Sequence, residues 1–228
     1  MLPPTEDSHW YDRDQDMVPC VGEAVRIQGP AGMLEAITAC PPVGAPMRAV
    51  GVVCHPHPLY GGSLKNKVVH YLSQTLNELG VGTVRFYFRG VGASEGEYDS
   101  GQGETDDLLA VLDWVRKQRP GHAVWLAGFS FGAYVVLRAA SRWPVSRLIT
   151  VAPPVNFFDF SAIARPDCPW LLVQGDSDEV VPCNEVLDWV RTVDPPPETL
   201  CITDVGHFFH GRLNDLKARL LDTLAEAA

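Results

Sequence analysis

From residue 49 onwards, short apolar runs alternate with segments of helical spacing, and this alternation is what most constrains the fold. The runs at 49–54 (AVGVVC), 83–88 (TVRFYF), 123–127, 147–151, 170–174 and 200–205 have the length and the β-branched or aromatic content of strands. AVGVVC contains no polar side chain, as expected of a strand covered on both faces. Apolar residues at 68, 69, 72, 76 and 79 predict a helix that stops at Gly80. Residues 104–118, 131–140, 184–193 and 210–227 read as further helices. Strand and helix repeated in this order call for a mostly parallel, doubly wound α/β sheet. Residues 24–28 and 34–38 flank Gly29-Pro30-Ala31-Gly32 and predict an antiparallel N-terminal hairpin at the sheet edge.

A chain of 228 residues suits one domain, 1–228, in which the Pro- and acid-rich residues 1–19 read as an N-terminal arm. The net charge of -10, with no clustering of Lys and Arg, argues against a nucleic-acid partner. No apolar run approaches the roughly 20 residues of a membrane helix, so no membrane partner is expected. The start MLPPTEDSHWYDRDQD lacks a basic and then apolar leader, which predicts a cytoplasmic protein with reduced thiols. Cysteines 20, 40, 54, 168, 183 and 201 form no C-x-x-C and no zinc spacing. A bridge from Cys168 to Cys183 or Cys201 stays compatible with the sequence, as do both monomer and homodimer. Nothing calls for a metal or an organic cofactor.

Gly128-Phe129-Ser130-Phe131-Gly132 is a G-x-S-x-G placed between the strand-like run from 123 and the helix-like run to 140. A serine on such a sharp turn has its hydroxyl exposed and strained backbone around it. Glycines two before and two after leave room where a Cβ would collide with a neighbouring strand or helix. Gly92-Ala93-Ser94-Glu95-Gly96 repeats the pattern, but a polar, glycine-rich stretch follows it in place of a helix. Ser94 therefore reads as a turn serine, and Ser130 as the candidate nucleophile.

A serine hydroxyl attacks well only when a base takes its proton and a third group orients that base. His207 stands just after the last predicted strand and is the candidate base; His210 falls where the last helix is expected to start, where capping suits it. Asp176 and Asp178 both follow the strand at 170–174, and spacing alone does not separate them. Asp204 lies only three residues before His207 and reads as a shaper of that turn. Ligands of such sheets bind beyond the carboxyl ends of the strands. His55, His57, Ser130, Asp176, Asp178 and His207 all fall at those ends. His55-x-His57 also invites a metal site, but Leu59 and Tyr60 stand where further ligands would be needed. His55 reads as a loop anchor, and Arg89 as a pin for the glycine-rich loop.

The elbow, the order Ser130, Asp178, His207 and the G-x-x-D-x-x-V-P pattern at 175–182 together resemble the α/β-hydrolase superfamily. HPHPLYGG, FRGVGASEG and GHFFHG make the chain similar to small, lid-less serine esterases related to dienelactone hydrolases. The resemblance covers roughly residues 49–228. It implies Asp178 as the acid, and an oxyanion hole from the backbone N–H of Phe131 with a second donor among His57, Leu59 and Tyr60, of which the family position is His57. It implies no lid domain, because only residues 152–169 separate two strands where lids are inserted. The expected activity is hydrolysis of carboxylic esters, on short acyl or exposed bonds, with a small-molecule ester as substrate. Tyr60 and Phe129 are the candidate substrate contacts, with Phe131, Phe157, Phe158 and Phe208 as further aromatics near the site; for Phe129 and Phe158 a place in the core fits the sequence equally. An acyltransferase or thioesterase using the same triad, or a non-catalytic binder, would share these motifs.

Overall fold

In the computed structural model, which describes residues 23–225, the alternation becomes one eight-stranded sheet in the order β1-β2-β4-β3-β5-β6-β7-β8. The strands are β1 (Ala24–Gly29), β2 (Gly32–Ala39), β3 (Ala49–Cys54), β4 (Val81–Phe86), β5 (Ala123–Phe129), β6 (Arg147–Val151), β7 (Trp170–Gly175) and β8 (Glu198–Ile202). The helices are α1 (Lys67–Glu78), α2 (Gln102–Gln118), α3 (Phe131–Ala140), α4 (Cys183–Val190) and α5 (Leu213–Ala225). β1 and β2 form the antiparallel hairpin, β2 joins β4 antiparallel, and every pairing from β4 to β8 is parallel. The proposed arm at 1–19 lies outside the described residues.

β3 is buried at every position, which its unbroken apolar run requires once helices cover both faces. On one face Val68, Val69 and Leu72 of α1 and Leu216, Leu220 and Leu224 of α5 pack on the sheet. On the other, Leu108, Val111 and Leu112 of α2 meet Val135, Val136 and Leu137 of α3. Asn66 starts α1 by accepting the Val68 N–H at 2.9 Å and the Val69 N–H at 3.4 Å.

Several boundaries differ from expectation. β4 begins two residues earlier than the run TVRFYF, because Val81-Gly82 continues the ladder against β3 while Tyr87 and Phe88 leave it. β8 likewise ends at Ile202, before Asp204 turns the chain with φ of 55°. α5 starts at Leu213, so His210 lies ahead of it, exposed, with its ring against Phe208. The expectation of reduced thiols is corrected at Cys40, which is disulfide-bonded. Bridges join cysteines that the fold brings together, a proximity that chain spacing does not display. Cys54, Cys168, Cys183 and Cys201 are free, so the contemplated Cys168 bridges are absent.

Strand order reverses at β3: the chain leaves it for β4 on one side and later returns to β5 on the other. Loops after β3 and β5 therefore part at their carboxyl ends and open a crevice. No helix among the described residues is long and apolar enough to cross a membrane.

Candidate active site

The turn from β5 into α3 holds Ser130 at φ 53°, ψ -120°, a conformation that non-glycine residues adopt only when their surroundings enforce it. The enforcement is visible on both sides. The Ser130 N–H donates to Val151 O of β6 at 2.8 Å, and the Ser130 carbonyl accepts the Ala133 N–H at 2.8 Å. A Cβ on Gly128 would sit 2.2 Å from Gly132 O, and one on Gly132 would sit 2.4 Å from Cys54 O. Both glycines are needed because backbone, which cannot swing aside, occupies the space. Ser130 is half-buried at the crevice.

From this turn runs a chain of hydrogen bonds. Ser130 Oγ lies 3.1 Å from His207 Nε2, and His207 Nδ1 lies 2.8 Å from Asp178 Oδ2. A carboxylate only accepts, so the imidazole proton sits on Nδ1 and Nε2 is free to take the serine proton. His207 and Asp178 are almost wholly buried. Asp178 Oδ1 accepts the N–H groups of Val180 at 2.9 Å and Val181 at 2.7 Å, which fixes the carboxylate plane. Glu179 Oε2 accepts the His207 N–H at 3.3 Å.

Asp176, the other candidate acid after β7, is occupied elsewhere. Asp176 is exposed, and its Oδ1 accepts the Asp204 N–H at 2.8 Å, so these two brace the turns after β7 and β8 against each other. Ser94 is also accounted for. Its hydroxyl donates to Tyr87 O at 2.7 Å and accepts the Glu35 N–H at 2.9 Å, tying the glycine-rich loop to the hairpin.

Of the three N–H groups considered after β3, two are already committed. Leu59 N–H donates to His57 Nδ1 at 3.2 Å and Tyr60 N–H to His57 O at 3.2 Å, both within the 3₁₀ turn Pro58–Tyr60. The His57 and Phe131 N–H groups make no hydrogen bond to a described residue. With its Nδ1 accepting from Leu59, the His57 ring carries its proton on Nε2 and donates it to Tyr98 Oη at 3.0 Å. Burial lowers the His57 pKa, which favours this neutral form.

His55, two residues before, is fully buried: Nδ1 donates to Pro56 O at 2.7 Å and Nε2 accepts the Phe88 N–H at 3.1 Å. Burial takes its pKa down to about 4, against a weaker upward pull from the Pro56 bond. Both its nitrogens are spent on loop backbone. Among the described residues no group of three or more His, Cys, Asp or Glu side chains is arranged to hold a metal ion. Arg89 does pin the glycine-rich loop: its guanidinium grips buried Asp107 of α2 through Nε at 2.8 Å and Nη2 at 2.7 Å.

The aromatic candidates divide. Tyr60 is 87% exposed beside the His57 ring, and Leu59, Phe157 and Phe208 are exposed as well. Phe129 is corrected: it is fully buried, with its ring 5.0 Å from that of His207, so it backs the histidine and offers no surface to a substrate. Phe158 stacks on Tyr134 with ring centres 4.6 Å apart.

Parallel strands wrapped by helices, with a strained G-x-S-x-G serine where the central strand ends and no lid domain among the described residues, define the class: an α/β hydrolase. Comparison with known proteins gives the same class. Residues 34–167 match the model of the X-Pro dipeptidyl-peptidase (S15) family, and the chain belongs to that family within the α/β-hydrolase superfamily. A lid-less α/β serine hydrolase from Xanthomonas campestris is 44% identical in sequence, with a TM-score of 0.87 over 93% of this chain and 97% of its own. An α/β serine hydrolase homologue from Coxiella burnetii is 48% identical, with a TM-score of 0.86 over 89% of this chain and 97% of its own. An uncharacterised protein of Rickettsia prowazekii is 33% identical over 210 residues, 88% of this chain and 87% of its own. The chain is accordingly a serine hydrolase. The family match ends at residue 167, before β7, so Asp178 and His207 rest on the geometry given above.

Proposed function

We propose that the chain hydrolyses carboxylic esters with short acyl groups or otherwise exposed bonds, through a Ser130-His207-Asp178 triad and an acyl-enzyme. The observation that carries this reading is the unbroken hydrogen-bond chain from Ser130 Oγ through His207 to Asp178. His207 Nε2 takes the Ser130 proton as Oγ attacks the ester carbonyl. The His57 and Phe131 N–H groups then hold the oxyanion, each worth on the order of 3 kcal/mol in the transition state. The imidazolium gives its proton to the departing alcohol, and a water deprotonated by the same nitrogen releases the acid and regenerates Ser130. Asp178 keeps the imidazole in the required tautomer throughout. The exposed side chains of Tyr60, Leu59, Phe157 and Phe208 would offer apolar surface suited to an uncharged substrate. A cytoplasmic setting fits the four free thiols, while the Cys40 disulfide argues the other way.

A second reading, cleavage of peptide bonds after Xaa-Pro, is favoured by the description of the matching family. One experiment separates the two. The protein is incubated with a fluorophosphonate, its intact mass and peptide map are recorded, and turnover is measured on short p-nitrophenyl esters and on Xaa-Pro anilides. One adduct, on Ser130 and absent in Ser130→Ala, with turnover of the esters, is the expected result. Ser94 stays unmodified because its hydroxyl is committed to Tyr87 and Glu35. Absence of an adduct overturns the enzyme reading, and a clear preference for the anilides replaces esterase by peptidase.

A further inference from the structure

β7 is apolar from Trp170 to Val173 and then places a fully buried Gln174 one residue before its end. Its Nε2 lies 3.1 Å from Asp178 Oδ2, 3.0 Å from Val181 O and 3.3 Å from Gly175 O. All three partners are acceptors and one is a carboxylate. A half-turn of the amide would set Oε1 against them, so charge alone fixes its orientation. Oε1 is buried and has no hydrogen-bond partner among the described residues. A buried, unpaired carbonyl is a cost that a leucine or methionine here would avoid. What the amide supplies in return is the fourth hydrogen bond to the carboxylate. Oδ1 is held by Val180 and Val181, and Oδ2 is shared between His207 and Gln174.

We propose that Gln174 is a positioning residue for the Ser130-His207-Asp178 chain, acting through Asp178. Its amide holds Oδ2 in line with His207 Nδ1 and spreads the negative charge that this oxygen presents to the imidazole. The inference rests on the catalytic reading proposed above. Gln174 never touches the substrate, so its loss acts on kcat and leaves KM in place. The other ionisable groups around Asp178 are His207, Asp176 and Glu179 in the neighbouring turns, and Cys183 at the start of α4. Burial, and then Cys201, push the Cys183 thiol up to about 11, so it stays uncharged across the working range.

The test compares wild type with Gln174→Met, which matches the length of the side chain without the donor, and Gln174→Glu, which keeps its shape. Gln174→Met lowers kcat and the rate of fluorophosphonate labelling by about 10- to 100-fold, as removal of the partners behind metal-bound histidines does. Its acid limb of kcat/KM moves to higher pH, because more charge on Oδ2 faces the imidazolium. Gln174→Glu gains a new limb: activity falls as the added carboxyl ionises beside Asp178. A purely structural role would reduce the folded fraction and move neither limb. Wild-type labelling with both variants keeping the wild-type profile overturns the inference alone. Failure of wild type to label overturns the catalytic reading beneath it.

Discussion

His55 makes the stability of this fold depend on pH in a direction and by an amount that can be worked out. Its ring is wholly buried against Phe88, with centroids 4.5 Å apart, and joins the end of β3 to the loop after β4. Protonation would place an N–H against the Phe88 N–H and break that tie. The folded chain therefore keeps the ring neutral down to about 4, whereas the unfolded chain takes up a proton near 6.5. Because the folded value is the lower one, the contribution is complete above 6.5, falls as the pH drops through the window, and levels off below about 4. At about 1.4 kcal/mol per pH unit, crossing the window removes about 3 kcal/mol. Urea unfolding of wild type and His55→Gln at intervals from pH 7.5 to 4 measures it. The variant is expected to be less stable at neutral pH and to show a slope shallower by about one proton between about pH 6.5 and 4. His57 and His70, also lowered by burial, contribute alike to both proteins and cancel in the difference. Equal slopes, or an NMR titration of the His55 ring near 6.5, would refute the reasoning.

Two further outcomes bear on the crevice. His57 has φ of -55°, which proline accepts, so His57→Pro removes the N–H without asking the turn to move. It lowers kcat by about 10²- to 10³-fold, whereas His57→Ala, which keeps the N–H, loses far less. Equal losses in steady-state ester assays would remove His57 from the oxyanion hole. Gly132→Ala drives a methyl group into Cys54 O and His55 O, lowering the melting temperature by about 3 to 10 °C in a thermal scan and abolishing labelling of Ser130.

The sheet was legible because a doubly wound fold writes its period into the chain: β3 is buried on both faces and its sequence is apolar throughout. Strand ends were less legible, since Val81-Gly82 resembles a helix terminator as much as a strand start. In the site, Ser130 and His207 stood out by position at strand ends. Asp176 and Asp178 did not separate, because what distinguishes them is which one receives the Val180 and Val181 N–H groups, a property of turn geometry. The second oxyanion donor was open for the same reason: that the Leu59 and Tyr60 N–H groups are spent within the 3₁₀ turn is a property of the folded loop, not of residue type. Phe129 stayed undecided between contact and core because an aromatic beside the nucleophile can face the crevice or the core with the same sequence. Gln174 gave no signal at all: a single polar residue at the end of an apolar run is as easily the first residue of a loop.

Between β6 and β7 lie only residues 152–169, which contain no helix or strand and so build no lid domain, although Phe158 from this segment packs against Phe131. An acyl group carried on Ser130 Oγ would meet bulk solvent directly. A competing alcohol would win it through concentration, since no lid domain among the described residues keeps water out while an acceptor waits. Transfer products would rise in proportion to added alcohol and vanish on dilution. Without a lid domain among the described residues there is none to lift before turnover begins, so dissolved and surface-bound esters would be attacked without a lag. What the fold forgoes in selectivity at the entrance it leaves to exposed side chains such as Tyr60, Leu59, Phe157 and Phe208, which can change without disturbing the sheet beneath them.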